Sequence, residues 1–385
     1  MDKLFFTEEH EMLRSMVQDF AKNEVEPVAQ ELDEEGKFPR DLVTQMGELG
    51  LLGIPVPEKY GGAGMDTVAY TAAVIELAKA DASLAITMAA HTSLGTMPIV
   101  LSGTEEQKLK YVPDLASGKM LGSFGLTEPG AGSDAGATQT TAELKDGEYI
   151  INGSKIFITN AGEAGLINLT AQVIKDGKKL GIGAFIAPMD TNGLEIMPKE
   201  KKMGWRASDT RQLYFTDMHI PAENIIGDPS GGFRTFLKTL VGGRISVAAL
   251  AVGTAEGAYE RALKYSTERE AFGKPIYKFQ PISFKLADMA TQIEAAKLLV
   301  YHAAWLKDQG VEMLKEAAMA KLFASEVAMD VTTEAIQVFG GYGYVKEYDV
   351  ERYFRDAKVL EIGEGTSEVQ RMVISRAIIR NALNL

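Results

Sequence analysis

The sequence contains no cysteine and only four histidines among its 385 residues. Without thiols the chain has no disulfide, no iron–sulfur cluster, no cysteine zinc site and no thiolate nucleophile. No two histidines stand at metal-ligand spacing, and no GxSxG segment presents a nucleophilic serine. We therefore expect neither a metal site nor a hydrolase with a Ser–His–Asp triad.

Long apolar runs are also missing. No stretch reaches the roughly 18 apolar residues that span a bilayer, and the first residues lack the apolar core of a signal peptide. We expect a cytoplasmic protein without membrane insertion. The net charge of −13 disfavours nucleic acid as a partner. It also requires local basic groups wherever an anionic ligand binds.

The distribution of apolar residues changes character twice along the chain. Residues 1–121 show helical spacing with a helix start at Thr7, residues 122–230 contain short strand-like runs, and residues 231–385 return to helical spacing. One face of the last region carries Leu286, Met289, Ile293, Ala296, Val300 and Ala303. These three segments predict an α+β fold with an N-terminal helical domain, a central antiparallel β domain and a C-terminal helical bundle. We expect both ends of the chain to build the bundle.

Asn152-Gly153 is the turn signal on which the β region depends. Both residues tolerate positive φ, and apolar runs flank them at 149–151 and 156–158. The pair predicts a hairpin. Further strands are predicted at 180–187 and 213–220, which favours a small antiparallel barrel or sandwich.

A glycine-rich loop runs from Gly125 to Asp134. Gly130, Gly132 and the following Gly136 read GxGxxxG, and Thr138-Gln139-Thr140 does not open a helix, so the loop is not a dinucleotide fingerprint of the Rossmann type. It is either an irregular entry to the β region or a loop whose backbone N–H groups meet a polar ligand. Phe157-Ile158-Thr159 is likewise either a plain strand end or an aromatic wall for a flat heterocycle.

Basic and aromatic residues are concentrated in Arg269-Glu270-Ala271-Phe272-Gly273-Lys274 and in Phe279-Gln280. Such a run is usually a solvated helix end, but arginine, aromatic ring and glycine together also suit a pyrophosphate and an adenine. Arg244, after Gly242-Gly243, is a second isolated cation.

Three acids and two glycines stand together in Glu361-Ile362-Gly363-Glu364-Gly365-Thr366-Ser367-Glu368. As a helix start, the segment would use Thr366 or Ser367 as its cap. As a functional segment, it would hold Glu364 on glycine-flanked backbone and direct it into a cavity.

The blocks GLTEPGAGSDAG, NGSKIFITNAG, REAFGKPIYKFQ, QVFGGYGY and EIGEGTSEVQR occur in this order over residues 125–371. Together they resemble the acyl-CoA dehydrogenase family, whose members are FAD enzymes, usually homotetramers, that pass electrons to electron-transferring flavoprotein. The resemblance implies that Glu364 is the base that takes the α proton of an acyl-CoA while hydride passes to the flavin. No nucleophile or metal is needed for this chemistry.

The resemblance also implies two sets of binding residues. The FAD residues are Phe124, Leu126, Thr127, Gly132, Ser133, Phe157, Ile158, Thr159, Arg269, Phe272, Phe279, Gln280, Gln337, Gly340, Gly341, Thr366 and Glu368, partly across a subunit interface. The residues along the acyl-CoA are Ser133, Gly243, Arg244, Gly363 and Gly365.

Two positions bear on the substrate. Some members of the family carry the base just before the arginine of the 244 region, where this chain has Gly243, so Glu364 is the matching base. Short straight-chain members commonly carry tyrosine before the base, where this chain has Gly363. We therefore expect a short acyl group that is branched, cyclic or aryl rather than butyryl, unless Trp205 refills the space. The competing interpretations are an enoyl- or aryl-acryloyl-CoA reductase, an acyl-CoA oxidase and a non-catalytic acyl-CoA-binding scaffold.

Overall fold

The computed structural model describes residues 2–383, except the side chains of residues 2, 3, 234, 235 and 238. Helices form both ends of the described chain and strands form the middle. The helices are α1 (Asp2–Phe5), α2 (Glu8–Phe20), α3 (Glu26–Glu35), α4 (Arg40–Glu48), α5 (Thr67–Ala80), α6 (Ala82–Ala90), α7 (Met97–Ser102), α8 (Glu105–Ala116), α9 (Gly232–Glu268), α10 (Gln280–Asp308), α11 (Leu314–Phe339), α12 (Val350–Lys358) and α13 (Ser367–Ala382).

Two of the helix junctions are π-helical, at Ala21–Val25 between α2 and α3 and at His91–Thr96 between α6 and α7. The predicted start at Thr7 is confirmed, because its hydroxyl accepts from the His10 N–H and the His10 ring accepts from the Thr7 N–H.

The strands are β1 (Gly122–Gly125), β2 (Thr141–Lys145), β3 (Glu148–Thr159), β4 (Leu166–Lys175), β5 (Lys178–Pro188), β6 (Leu194–Ile196) and β7 (Thr210–Pro221), followed by the two-residue pair β8 (Glu270–Ala271) and β9 (Lys274–Pro275). The first seven form one sheet in which β4 pairs with β5 along one edge and with β1 and then β2 along the other. The predicted strands at 180–187 and 213–220 are confirmed as parts of β5 and β7. The sheet is mixed rather than wholly antiparallel, because β1 and β2 run parallel to β4.

The predicted hairpin at Asn152-Gly153 is wrong. β3 continues through both residues with a register shift, and Gly153 has φ 147° at a point where a Cβ would lie 2.5 Å from Thr140 Oγ1. The chain reverses instead at Asp146-Gly147, with φ of 50° and 86°, between β2 and β3. The glycine at 153 therefore serves a bulge and a close approach of two strands.

The helices from both ends of the chain share one hydrophobic core, as predicted. Val17 and Ile75 from the N-terminal region lie in the same cluster as Ala248, Val300 and Ala328 from the C-terminal region. All six residues predicted to form one face of α10 are buried. α5 is buried at every residue except Lys79, because helices surround it on all sides. A separate core fills the β region.

Ala82–Ser102 is long and apolar enough to cross a membrane by length and composition. However, 83% of its most apolar window is buried inside the protein. That burial is typical of a core helix in a folded domain.

Candidate active site

Glu364 lies in the turn that leads into α13. Its φ is 52° and that of Gly365 is 97°, so two consecutive residues have left-handed backbone. Thr366 then caps α13 by accepting a hydrogen bond from the Val369 N–H. The prediction that Glu364 sits on unusual glycine-flanked backbone is confirmed, and so is the cap at Thr366. Positive φ is uncommon for a residue with a Cβ and often marks a functional position.

The carboxylate of Glu364 points into the protein. Its Oε2 is shielded from solvent and has no hydrogen-bond partner, and it lies against Gly243 of α9, where a Cβ would overlap it. Burial raises the pKa of Glu364 to about 7, and the nearby charges of Lys321 and Arg244 act in the opposite direction. A carboxylate with this pKa is suited to proton transfer near neutral pH.

Arg244 also has buried polar atoms without a protein partner at this point. It is 7% exposed, and its Nε and Nη1 are buried without an acceptor. Buried donors are normally satisfied, so unused guanidinium donors beside an unpartnered carboxylate indicate a site for a polar ligand.

The predicted flavin segments 124–127 and 157–159 are brought side by side. The Ile156 N–H donates to the Thr127 carbonyl at 2.9 Å, which aligns the loop after β1 with β3. Phe157 interrupts β3 in a second register shift, with φ 59° and 64% exposure. Ile158 beside it is buried and Thr159 pairs with Thr210. The bulge therefore exposes an aromatic ring next to the loop.

The far end of the glycine-rich loop is open. Gly132 and Ser133 are exposed, and a Cβ at Gly132 would meet nothing within 4 Å. At the near end, Phe124 stacks on Phe236 of α9 with ring centroids 4.2 Å apart, and Leu126 is buried. The loop is thus fixed to α9 at one end and accessible at the other.

A second group of predicted residues surrounds a cavity of about 470 Å³ at the ends of α9 and α11. Arg269, Gly340 and Gly341 line it together with Tyr265, Phe339 and Tyr342. A Cβ at either glycine would meet nothing within 4 Å. The Arg269 guanidinium lies 5.3 Å from the Tyr342 ring centroid.

Five further predicted residues lie at exposed or partly exposed positions in these segments. Phe272, at φ 53°, is 95% exposed and meets Phe279 edge to face at 6.0 Å. Gln280 begins α10, Gln337 lies near the end of α11, and both are exposed. Glu368 is exposed in the first turn of α13.

Gly363 has space beside it. A Cβ there would meet only Val359, at 3.4 Å from its carbonyl oxygen and 4.0 Å from Cγ2. Trp205, the residue considered for refilling this space, donates its backbone N–H to Asp356 of α12 at 2.6 Å.

Sequence reasoning missed the buried residues that support these segments. Lys321 of α11 donates to the Gly365 carbonyl at 2.8 Å, and Lys155 of β3 donates to the Leu126 carbonyl and to Glu128. Both lysines are 0% exposed. A signal for Lys321 is present in the sequence, since it stands among small apolar residues in AAMAKLFAS. Lys155 and Glu128 lie inside the matched blocks, but their pairing is a tertiary contact.

The chain belongs to the acyl-CoA dehydrogenase family. Residues 7–119, 123–218 and 230–379 match the models described as the N-terminal, middle and C-terminal domains of acyl-CoA dehydrogenase. The protein is therefore an FAD-dependent oxidoreductase, and the predicted class, fold and cofactor are confirmed.

Three known proteins illustrate the similarity. The short-chain specific acyl-CoA dehydrogenase of Clostridium acetobutylicum is 51% identical, over 97% of this chain and 99% of its own. The structure of butyryl-CoA dehydrogenase from Megasphaera elsdenii superimposes with a TM-score of 0.95 at 48% identity, over 97% and 99% of the two chains. A chain from a structure on the electron-transferring flavoprotein of Acidaminococcus fermentans and flavin-based electron bifurcation gives 0.95 at 50% identity, with the same coverage.

The residues present fit FAD. The exposed ring of Phe157 beside an accessible loop suits a flat ring system, and the cavity with Arg269 and two open glycines suits an anionic, extended group. The positive charge of Arg269 stands on a chain whose net charge is −13, so the charge at the cavity is opposite in sign to that of the chain as a whole.

Proposed function

We propose that Glu364 abstracts the α proton of an acyl-CoA thioester in an α,β-dehydrogenation. The observation that carries this proposal is the solvent-shielded, unpartnered Oε2 of Glu364, held opposite a residue that has no side chain. When bound, the flavin accepts the β hydrogen as hydride. The electron pair of the broken α C–H bond becomes the second bond between the α and β carbons, and the proton remains on Glu364.

The raised pKa of Glu364 helps the side chain both to accept the proton and to keep it afterwards. At about 7, a large fraction of the carboxyl is ionised at neutral pH and able to take a proton. Once protonated, the side chain is neutral, which is the form that burial favours. We assign to the Glu364 backbone N–H a hydrogen bond to the thioester oxygen, which would stabilise the charge that develops there.

The remaining assignments follow the resemblance to the family. The loop and bulge residues Phe124, Leu126, Thr127, Gly132, Ser133, Phe157, Ile158 and Thr159 are proposed to line the flavin with Thr366 and Glu368. Arg269, Gly340 and Gly341 in the lining of the cavity are proposed to hold the ADP half of FAD. Phe272, Phe279, Gln280 and Gln337, outside that lining, are proposed to take part as well. Ser133, Gly243, Arg244, Gly363 and Gly365 are proposed to follow the acyl-CoA.

A short acyl chain and an electron-transferring flavoprotein as acceptor are the proposed substrate class and partner. The Clostridium and Megasphaera relatives support the first, and the Acidaminococcus structure supports the second. We also propose a cytoplasmic homotetramer with domains at 1–121, 122–230 and 231–385.

The central experiment is anaerobic flavin reduction. The purified, flavin-loaded protein is mixed with butyryl-CoA and its flavin absorbance is followed, for the native chain and for Glu364→Gln. Bleaching of the native flavin and a loss of at least about a thousandfold in the variant are expected, because an amide cannot accept the proton. A variant that bleaches at the native rate rules out Glu364 as the base. Repeating the reaction in air separates a dehydrogenase from an oxidase.

Acyl-chain shape is tested at Gly363. The absence of a side chain at residue 363 should leave a wide pocket for the acyl group. We therefore expect isovaleryl- or cyclohexanecarbonyl-CoA to be turned over better than butyryl-CoA. Gly363→Tyr, whose Cβ has room, should reduce turnover of the bulky thioesters by about tenfold or more and leave butyryl-CoA less affected. A clear butyryl preference in the native enzyme contradicts the prediction.

A further inference from the structure

Lys321 is a fully buried ammonium group directly below the catalytic turn. It lies on α11 between Ala317, Ala320 and Ala324, all of them buried, and is itself 0% exposed. Its Nζ donates to the carbonyl oxygen of Gly365 at 2.8 Å. A buried charge costs several kcal/mol or more unless other groups compensate it, so its position here calls for a function.

The carbonyl that Lys321 holds belongs to the left-handed turn. Gly365 O also accepts from Gln370 Nε2 at 2.8 Å, and the same amide group reaches Glu364 O at 3.4 Å. Gln370 is buried as well. Two buried donors therefore hold the backbone of the two residues whose φ angles are positive, and the direction of the Glu364 side chain depends on that backbone.

Lys321 is also one of two cations that act on the base. Lys321 from α11 and Arg244 from α9 act on the charge of Glu364, and Glu364 in turn acts on Tyr70 of α5. Glu361 and Glu368, on either side of the turn, act on Lys321. Lys321 is the larger of the two positive influences on Glu364.

We propose that Lys321 is a positioning residue of the reaction, which fixes the Glu364–Gly365 turn through the Gly365 carbonyl and supplies the positive charge that keeps the buried base ionised. The proposal rests on the assignment of Glu364 as the base. It gives Lys321 two separable contributions, one through a hydrogen bond and one through charge.

The state of Lys321 itself is consistent with both contributions. Burial lowers the pKa of Lys321 to about 8, against the raising influence of Glu364 and Glu361. At pH 7 the ammonium form therefore still predominates. Above pH 8 the charge is lost, by which point Glu364 is already ionised.

Two variants separate the contributions. Lys321→Gln removes the charge and retains a donor for the Gly365 carbonyl, whereas Lys321→Met removes both. The rate of flavin reduction by a saturating acyl-CoA is measured from pH 5.5 to 9.5 in the native enzyme and in each variant. Flavin content and the thermal unfolding midpoint are recorded for each, and the Gln variant alone decides the charge contribution if the Met variant does not fold.

In Lys321→Gln we expect the acidic limb of the profile to move to higher pH by about one unit, because a neighbouring cation lowers a carboxyl pKa by roughly 1–3 units. At pH 7 this corresponds to a loss of about fivefold, which largely disappears at pH 9. In Lys321→Met we expect the same shift together with a plateau that is about tenfold lower at every pH. A merely structural lysine would lower the plateau without moving the limb.

An acidic limb that stays in place in both variants overturns the proposal. Glu364→Gln distinguishes this result from failure of the proposed function. If Glu364→Gln keeps the native rate, both proposals are refuted: proton abstraction by Glu364 and the role of Lys321. If Glu364→Gln is inactive and the limb of Lys321→Gln is unshifted, only the role of Lys321 is refuted.

Discussion

Glu364 combines two features that each destabilise a protein, a left-handed backbone and a buried carboxylate oxygen, Oε2, without a hydrogen bond. Left-handed backbone at a residue with a Cβ costs roughly 1–2 kcal/mol. Gly365 continues the turn, Thr366 closes it with a cap, and Lys321 and Gln370 hold its carbonyls. The turn therefore persists because four neighbouring residues support it.

The buried carboxylate predicts that removing the base stabilises the fold above neutral pH. Folding raises the pKa of Glu364 from 4.5 to about 7, so the folded state holds this proton more tightly than the unfolded state. The contribution of Glu364 to the free energy of unfolding therefore falls as the pH rises from about 4.5 to 7. Glu364→Gln should match the native enzyme at pH 4.5 and exceed its free energy of unfolding by about 1–3 kcal/mol at pH 8.5.

Urea unfolding at the two pH values measures this difference. Gln has almost the same shape as Glu, so the comparison isolates the charge. A variant that is less stable than the native enzyme at pH 8.5 contradicts the account of the buried base.

Gly243 is predicted to be required for the position of the Glu364 carboxylate. A Cβ at 243 would overlap Glu364 Oε2, so Gly243→Ala should displace the carboxylate and reduce flavin reduction by about a hundredfold or more. Gly242→Ala is the matched control, because its Cβ would meet only the flexible end of Lys307 at 3.3 Å. Equal losses in the two variants would show that the effect comes from α9 in general. Stopped-flow bleaching measures both.

For single residues, the sequence predicts those whose role depends only on their neighbours along the chain. Glu364 between two glycines and the cap at Thr366 can be predicted because the whole signal lies within eight consecutive residues. Lys321, 43 positions before Glu364, could not be connected with it, because the contact depends on how α11 packs below the turn.

Among the elements, α9 does most to assemble the site. Its 37 residues span about 55 Å, so one helix carries Phe236 beside the glycine-rich loop and Gly243 opposite the proposed base, and it ends next to Arg269 at the cavity. The sequence predicts that a helix begins after Gly231, but not that this single helix connects three functional segments.

β3 shows why the hairpin prediction failed. Asn152-Gly153 and Asp146-Gly147 are both strong turn pairs, and local preference does not distinguish them. In the folded chain the Asn152 side chain bonds to Asp217 of β7, and Gly153 admits Thr140 at close range. Contacts with neighbouring strands therefore favour a continuous strand with a bulge at this point, and the sequence of β3 alone does not reveal those contacts.

The pair of Lys155 and Glu128 should fix the glycine-rich loop to β3. Lys155 Nζ lies 2.7 Å from Glu128 Oε1, and the Glu128 carboxylate also accepts the backbone N–H groups of Gln139 and Thr140. Lys155→Met would leave the buried Glu128 carboxylate without its counter-charge, and we expect the variant to lower the free energy of unfolding by about 3–5 kcal/mol and to release FAD more readily. Adding Glu128→Gln should restore most of the stability.

Lys145→Met is the control within the same sheet. Lys145 and Glu143 form an exposed ion pair at 2.9 Å on β2, and its loss should change the free energy of unfolding by less than about 0.5 kcal/mol. Urea midpoints and the FAD that remains after gel filtration compare the variants. A Lys155→Met protein that is as stable and as flavin-loaded as the Lys145→Met protein would show that the buried pair does not secure the loop.

For the molecule as a whole, the exposed apolar residues of α13 favour the proposed tetramer. Its residues include Val369, Met372, Ile374, Ile378 and Ile379, yet its only buried residues in the described structure are Ser367 and Gln370. Phe284 and Trp305 of α10 and Phe323 of α11 are exposed as well. Exposed apolar side chains in this number on neighbouring C-terminal helices are typical of an interface between subunits.

The predicted tetramer should therefore depend on α13. Changing Ile378 and Ile379 together to serine removes about 1.5–3 kcal/mol of burial per side chain, so the dissociation constant should rise by about a hundredfold or more. Met12→Ser on α2, where the side chain is 72% exposed, is the control and should leave the mass unchanged. Because each chain carries a net charge of −13, dissociation should also be greater at 10 mM than at 150 mM salt. Sedimentation velocity measures both effects, and a native protein that sediments as a monomer at micromolar concentration would refute the prediction.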